Sequence, residues 1–396
     1  MLKPPRKRAK RAIRVWLHAV SVGEVMSCGP LIRLMRENGH DVVLSTGTLA
    51  GHAIAEKQFP GIEVLYFPFD YGFMVRRFLT RIDPHVVLLC ETELWPAFVN
   101  AVSRHGAPLY LVSGRLGDRE FCSYRALRFF FNPLLRRFTG LFMQSELDAE
   151  RMRAITDNPN IGTLGNLKFD VRPEPGDPQL NRLLPDGRRI CAASTHREDE
   201  RIIVKAFAGL ARSYPDLSLV LVPRHPHRAA ETAALLTEEG LTYTLRSENK
   251  KCATPVFLVD SVGELMSLFA NCDIVIMGGS FSRRVGGHNP IEPALYGKCV
   301  LCGPHMENFR EAHSALKQAH GMAGTGKETL GKDLAFFMEH PSEAERIGEN
   351  AAHLMESRRG ASRRVVDAVF GSFNSSASCA SGRASARPRR PFEGGR

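Results

Sequence analysis

The sequence predicts an α/β protein made of two tandem doubly wound, Rossmann-like domains with a central cleft. Three observations carry this. A chain of 396 residues, 43% hydrophobic and 24% charged, has the composition of a globular protein and the length for two separate cores. Short apolar runs alternate with helix-like stretches through most of it, the pattern of parallel strands covered on both faces. That rhythm lapses once, in the proline-rich stretch FDVRPEPGDPQLNRLLP, and then restarts.

Taken in order, the strand-like runs of the first half are 15–20, 41–45, 62–67, 85–90, 108–112 and 140–144. Those of the second half are 189–194, 217–222, 255–259, 273–277 and 298–301. The first domain is expected at 15–172, a linker at 173–185 and the second domain at 186–370. A basic segment, 1–14, precedes them. The tail at 371–396 is rich in Ser, Gly, Ala and Arg, which offer little to bury, and is expected to be disordered.

The formal charge of +11 belongs to the two ends. Residues 1–14 carry seven Lys/Arg and no acid, and 358–396 carry nine Arg against Asp367 and Glu393. The body between is weakly acidic, which excludes a general polyanion binder and argues against a nucleic-acid partner. The ends suit nucleic acid, an anionic membrane surface or simply a solvated tail. No apolar run approaches the ~20 residues that span a bilayer, and no signal peptide is visible. The nine cysteines are scattered through apolar segments, as reduced thiols of a cytosolic protein are. Cys299 and Cys302 have C-x-x-C spacing on a strand-like run, which sends them to opposite faces and into the core. The histidines show no metal-ligand spacing, so no metal is expected.

Two stretches, 71–82 (YGFMVRRFLTRI) and 119–138 (REFCSYRALRFFFNPLLRRF), mix arginines with aromatic and aliphatic residues. That composition suits a surface resting on anionic lipid, or an ordinary amphipathic helix whose arginines face water.

Chemistry-bearing residues gather where the strand-like runs end, the edge at which open α/β sheets bind ligands. After VWLHAV come Ser21, Gly23 and Glu24, a strand–turn–helix passage. There Glu24 can serve as a general base near free N–H groups, or merely favour the helix dipole. Glu91 and Glu93, beside Trp95, can bind sugar hydroxyls or act in acid–base work, or one of them can cap the next helix. In the second half Ser194, Thr195 and His196 follow one run, and Arg224 and His225 another. Gly278, Gly279 and Ser280 follow a third, with Gly286, Gly287, His288, Asn289 and Glu292 beyond. Hydroxyls, an arginine and glycine turns on one sheet edge make a cradle for phosphate and ribose, with Glu292 placed for ribose hydroxyls.

Assembled, these motifs resemble those of the Kdo transferases, glycosyltransferases that add 3-deoxy-D-manno-octulosonic acid to the lipid A precursor. The resemblance rests on HAVSVGE (18–24), ETELWP (91–96), GNLKFD (165–170), ASTH (193–196), LVPRHP (221–226), GEL (263–265), GGHNPIEPA (286–294) and GPHMENF (303–309). It implies a GT-B fold, acceptor in the first half and CMP-Kdo in the second, and an inverting single displacement without metal or cofactor. Glu24 would be the general base. Acceptor binding would fall to Glu91, Glu93, Arg115, Arg119 and Tyr124. Donor binding would involve Lys168, Ser194, Thr195, His196, Arg224, His225, Gly263, Glu264, Gly279, Ser280, His288, Asn289 and Glu292. Of these, Arg224 and Lys168 would offset the charge of the leaving CMP. The partners implied are CMP-Kdo, lipid IVA and the cytoplasmic face of an anionic inner membrane, bound peripherally. Departures are Ala97 after ETELWP, the changed Ser113, Gly117 and Glu120, Glu198 and Asp199 after STH, and a longer loop holding Arg283 and Arg284. A related GT-B enzyme using another nucleotide sugar, or a catalytically idle lipid- or partner-binding homologue, are the competing readings.

Overall fold

The computed structural model describes residues 12–381, with side chains to 371; the basic segment at 1–11 and the end of the tail at 382–396 lie outside the described residues. Within them the chain forms two compact units, one of the residues up to 170 together with those from 360 on, and one of 171–359.

The first unit holds seven parallel strands. They are β1 (Arg14–His18), β2 (Asp41–Thr46), β3 (Glu63–Tyr66), β4 (Val86–Cys90), β5 (Leu109–Gly114), β6 (Gly140–Met143) and β7 (Ile161–Thr163). Their order is β3-β2-β1-β4-β5-β6-β7, so the sheet reverses direction of growth between β1 and β4. Alternate residues feed two cores, as the strand period of two requires. Trp16, Val87, Leu89 and Leu111 face the helices Gly72–Ile82 and Pro96–His105. Val15, Leu17, Leu88 and Val112 face the helix Gly29–Glu37 and the closing helix of the chain.

The second unit repeats the plan with β8 (Arg188–Thr195), β9 (Leu217–Pro223), β10 (Tyr243–Leu245), β11 (Val256–Leu258), β12 (Ile274–Met277), β13 (Cys299–Cys302) and β14 (Ala323–Gly324). Here the order is β10-β11-β9-β8-β12-β13-β14, with the reversal between β8 and β12. Cys299 packs in the core with Ile274 and Leu301, and both it and Cys302 are buried. Burial pushes the Cys299 thiol up to about 12 and Cys302 higher still, so both remain protonated.

Each apolar run predicted from sequence is a strand. The three missed strands, β7, β10 and β14, are two or three residues long and lie at sheet edges, where no apolar run is required. Two boundaries differ from expectation. The stretch at 173–185 is not a free linker. Asp177 caps a helix, Pro178–Leu183, whose Leu180 is buried, and Cys252 N–H donates to Leu183 O at 2.8 Å. The closing helix, Ala361–Ser381, belongs to the first unit, whereas the sequence predicts 360–370 in the second. Its Val365, Val366, Val369 and Phe370 complete the first sheet's second core, which the helices before β7 leave partly uncovered. Asp170 fixes its start, accepting from Gly360 N–H at 2.6 Å and Ser362 N–H at 2.5 Å. The helix also runs to Ser381, into the stretch expected to be disordered.

Candidate active site

In the first unit the ends of β1 and β4 are neighbours, and each delivers carboxylates. Ser21 caps the short helix Val22–Ser27, and Glu24 is its third residue, which completes a capping box. The Glu24 carboxylate accepts from Val20 N–H (2.8 Å), Ser21 Oγ (2.8 Å) and Ser21 N–H (3.3 Å). The side chain is only 8% exposed. Burial raises its pKa above the usual carboxylate range and the charge of Glu91 adds to this, outweighing those hydrogen bonds. Glu24 therefore completes the helix cap while its carboxyl holds a proton more readily than an ordinary glutamate.

Glu91 follows β4 in the left-handed region (φ 56°), its N–H bonded to Val112 O at 3.0 Å. Lys168 Nζ donates to Glu91 Oε1 at 2.6 Å. Burial and then the Glu91 charge raise Glu93. Glu24, Glu91, Glu93 and Lys168 thus form one cluster at the first sheet's switch point. Neither glutamate caps the next helix. Asp70 does so, accepting from Ala97 N–H (3.0 Å) and Phe98 N–H (2.7 Å).

Lys168, which falls in the first domain as its position in 15–172 predicts, belongs to this cluster. A buried amide network that sequence reasoning missed holds it there. Gln144 Nε2 donates to Ser113 O at 2.9 Å, Asn166 Nδ2 donates to Gln144 Oε1 at 3.0 Å, and Lys168 N–H donates to Asn166 Oδ1 at 2.9 Å. The one sequence signal was the polar Gln144 ending an apolar run. Of the other acceptor candidates, Tyr124 stacks on Phe131 (4.2 Å). Its pKa is raised by burial and then by the charges of Glu120 and Glu93, which brings it to the cluster's border. Arg115 and Arg119 are exposed; Arg115 N–H is held by Thr92 Oγ1 at 2.9 Å.

In the second unit the histidines converge at the ends of β8 and β9. His196 Nε2 lies 2.9 Å from His288 Nε2 with the rings stacked, and His225 meets His196 edge-on at 5.9 Å. Burial, His196, Arg224 and His225 together lower His288 to about 4, so it is neutral at pH 7. Arg224 is exposed beside this group, its N–H donating to Thr195 O at 2.9 Å.

Several predicted cradle residues turn out to be internal. Gly279 N–H donates to Asp199 Oδ2 (2.7 Å) and Phe281 N–H to Asp199 Oδ1 (3.4 Å), so the glycine turn is already filled by a carboxylate of the chain. Ser280 Oγ donates to Met277 O (2.5 Å) and accepts from Gly303 N–H (2.8 Å). Thr195 is buried and donates to Glu200 Oε1 at 3.2 Å. Glu200 in turn pairs with Arg228 through both oxygens. Ser194 takes a left-handed φ of 56° at the strand end. Glu264, next to the exposed Gly263, forms an ion pair with Arg246 at 2.8 Å, and Asn289 Nδ2 donates to Glu292 Oε1 at 3.0 Å. Among the described residues no three His, Cys, Asp or Glu side chains are grouped to hold a metal ion.

Comparison with known proteins places these residues in context. Residues 2–171 match the pattern of the 3-deoxy-D-manno-octulosonic-acid transferase (kdotransferase) N-terminal domain. The chain is 32% identical to a 3-deoxy-D-manno-octulosonic acid transferase of Bordetella pertussis, covering 92% of this chain and 88% of that one. It is 30% identical to the Haemophilus influenzae protein of the same name, covering 89% and 86%. A glycosyltransferase structure from Rickettsia africae superposes with a TM-score of 0.63 over 91% of this chain and 98% of that one. At 13% identity this likeness is one of fold, in keeping with a GT-B fold of two Rossmann-like domains. With such identity over nearly the full length of both relatives, the chain belongs to the 3-deoxy-D-manno-octulosonic acid transferases, a family of glycosyltransferases.

Proposed function

We propose that the protein transfers Kdo from CMP-Kdo to a lipid A precursor, lipid IVA, with inversion and with Glu24 as general base. The observation that carries this reading is the Glu24 carboxyl, buried, raised in pKa and set beside Glu91 and Lys168. The acceptor hydroxyl oxygen attacks C2 of Kdo, its proton passes to Glu24, and the bond from C2 to the phosphate oxygen breaks to release CMP. Arg224, Lys168 and the histidine group are the donors assigned to the departing phosphate, with Asn289 and Glu292 assigned to ribose. Glu91, Glu93, Arg115, Arg119 and Tyr124 are assigned to the acceptor. Incubation with CMP-Kdo and lipid IVA tests this. Wild type is expected to form product, and Glu24→Gln to be slower by about 10²–10⁴-fold. No product from wild type would sink the transferase reading, and a fully active Glu24→Gln the base. Tighter binding of CMP than of UDP is expected if the donor is CMP-Kdo.

The same reading puts the protein on the cytoplasmic face of the inner membrane. Its support is a set of aromatics on the first unit, Phe69, Phe73 and Phe129, that are 75%, 67% and 78% exposed. Exposed Arg76, Arg77, Arg125 and Arg128 accompany them. The helices Gly72–Ile82 and Arg128–Leu135 that carry most of these pack on one face of the first sheet. Among the described residues no helix is long and apolar enough to cross a membrane. Flotation with anionic vesicles is expected at low salt and should weaken at high salt.

A further inference from the structure

The second sheet closes its switch point on a buried carboxylate, Asp199. Asp199 has no exposed surface, and its three donors come from two segments far apart in sequence. His196 N–H (2.8 Å) lies at the start of the helix Arg197–Ala211, Gly279 N–H (2.7 Å) follows β12, and Phe281 N–H (3.4 Å) opens the loop that returns to His288. These segments are in hard contact. A Cβ on Gly278 would sit 2.4 Å from Ser194 O, and one on Gly279 would sit 3.1 Å from His288 Cδ2. Gly287 N–H donates back to Gly279 O at 3.0 Å, which ties His288 to the same turn. The chain of contacts is closed. Asp199 holds Gly279, Gly279 abuts His288, the His288 ring meets His196 at 2.9 Å, and the His196 backbone returns to Asp199.

We propose that Asp199 is a positioning residue for the donor. It occupies the N–H groups that a phosphate would otherwise take, and so fixes the His196–His288 pair beside Arg224 in one arrangement. The inference rests on the assignment of the second unit to CMP-Kdo. Being fully buried, Asp199 acts through the residues it holds rather than by touching substrate. Its charge matters as well as its shape. An ionised carboxylate has acceptor sites for all three donors, whereas the amide of asparagine turns an NH₂ against at least one of them.

The test uses the full chain with Asp199→Asn, Asp199→Ala and Asp199→Glu. Steady-state constants are measured for CMP-Kdo and for lipid IVA, CMP affinity by calorimetry, and the imidazole nitrogens by NMR. Asp199→Asn is expected to weaken CMP and raise the donor KM by about tenfold or more. The acceptor KM should stay within about twofold, and the His196 and His288 signals should move. Added acetate should recover part of the CMP affinity of Asp199→Ala, since a small carboxylate can refill the turn. Asp199→Glu keeps the charge and should fall between wild type and Asn; it also decides the matter if the other variants do not fold. A folded variant with CMP affinity and donor KM unchanged overturns the proposal. So does an equal loss for donor and acceptor that tracks a lowered thermal midpoint. A wild type that binds CMP but transfers no Kdo sinks the transferase reading alone, because CMP affinity still judges Asp199.

Discussion

Glu24 shows how one side chain meets two demands. Its capping-box hydrogen bonds hold the carboxylate in place, while burial and the neighbouring Glu91 charge raise its pKa. The catalytic consequence has a definite sign. In the proposed role Glu24 takes a proton only when ionised, so kcat/KM should fall as pH drops through the raised Glu24 pKa, an acid limb lying above the ordinary glutamate value of about 4.5. A pH–rate profile whose acid limb lies at or below that value would contradict this. His18 supplies a second pH effect, on stability. It ends β1, stacks on Phe67 at 3.8 Å and is bonded through Nδ1 to Ser45 O at 3.0 Å. Burial lowers its pKa from 6.5 to about 4. Because the folded value is depressed, the stabilisation is full above pH 6.5 and is lost as pH falls towards 4, at most about 3 kcal/mol. Thermal midpoints measured from pH 7 to 4 should fall for wild type and fall less for His18→Gln.

Among the elements, the strand ends of the second sheet illustrate why its glycines are where they are. Gly278 lies against the β8 end, with 2.4 Å between Ser194 O and the place a Cβ would occupy. Gly278→Ala should therefore push β8 and β12 apart and cost about 1–3 kcal/mol, read as a lowered denaturant midpoint. Gly209, exposed within the helix Arg197–Ala211, has nothing within 4 Å of such a Cβ. Gly209→Ala should instead stabilise by about 0.5–1 kcal/mol through helix propensity. Opposite signs for two Gly→Ala changes in one unit separate close approach from backbone entropy. The turn Gly278–Gly279–Ser280 looked like a phosphate cradle in the sequence because glycine and serine after a strand are what such cradles use. Nothing local could show that Asp199, eighty residues earlier, already fills it.

For the molecule as a whole, the consequential feature is the return of the last helix to the first unit. Val365, Val369 and Phe370 are buried there, and Phe370 stacks on His40 at 4.3 Å. Truncation after residue 359 should leave the first sheet's second core open. The expected result is poor solubility or a lost unfolding transition for the first unit. By contrast, 171–359 expressed alone should keep a cooperative transition, since it contains its own sheet and core. Limited proteolysis and thermal melts of the two products check this; a truncated chain as stable as the full one would contradict it.

Every long strand, the parallel α/β class, the two-unit plan and most of the residues gathered at the strand ends are legible in the amino-acid order. Continuous Val/Leu runs and turn glycines are local signals, and they sufficed. Which of those residues are left open to solvent depends on the packed fold. It placed Lys168 on Glu91 through the Ser113–Gln144–Asn166 network, turned Ser280 and Thr195 inward, and gave the glycine turn to Asp199. It also sent the closing helix back to the first unit. The reason is physical. Strand formation follows from a few neighbouring side chains, whereas a buried polar group takes its partner from whatever segment the packed sheets bring within hydrogen-bond reach.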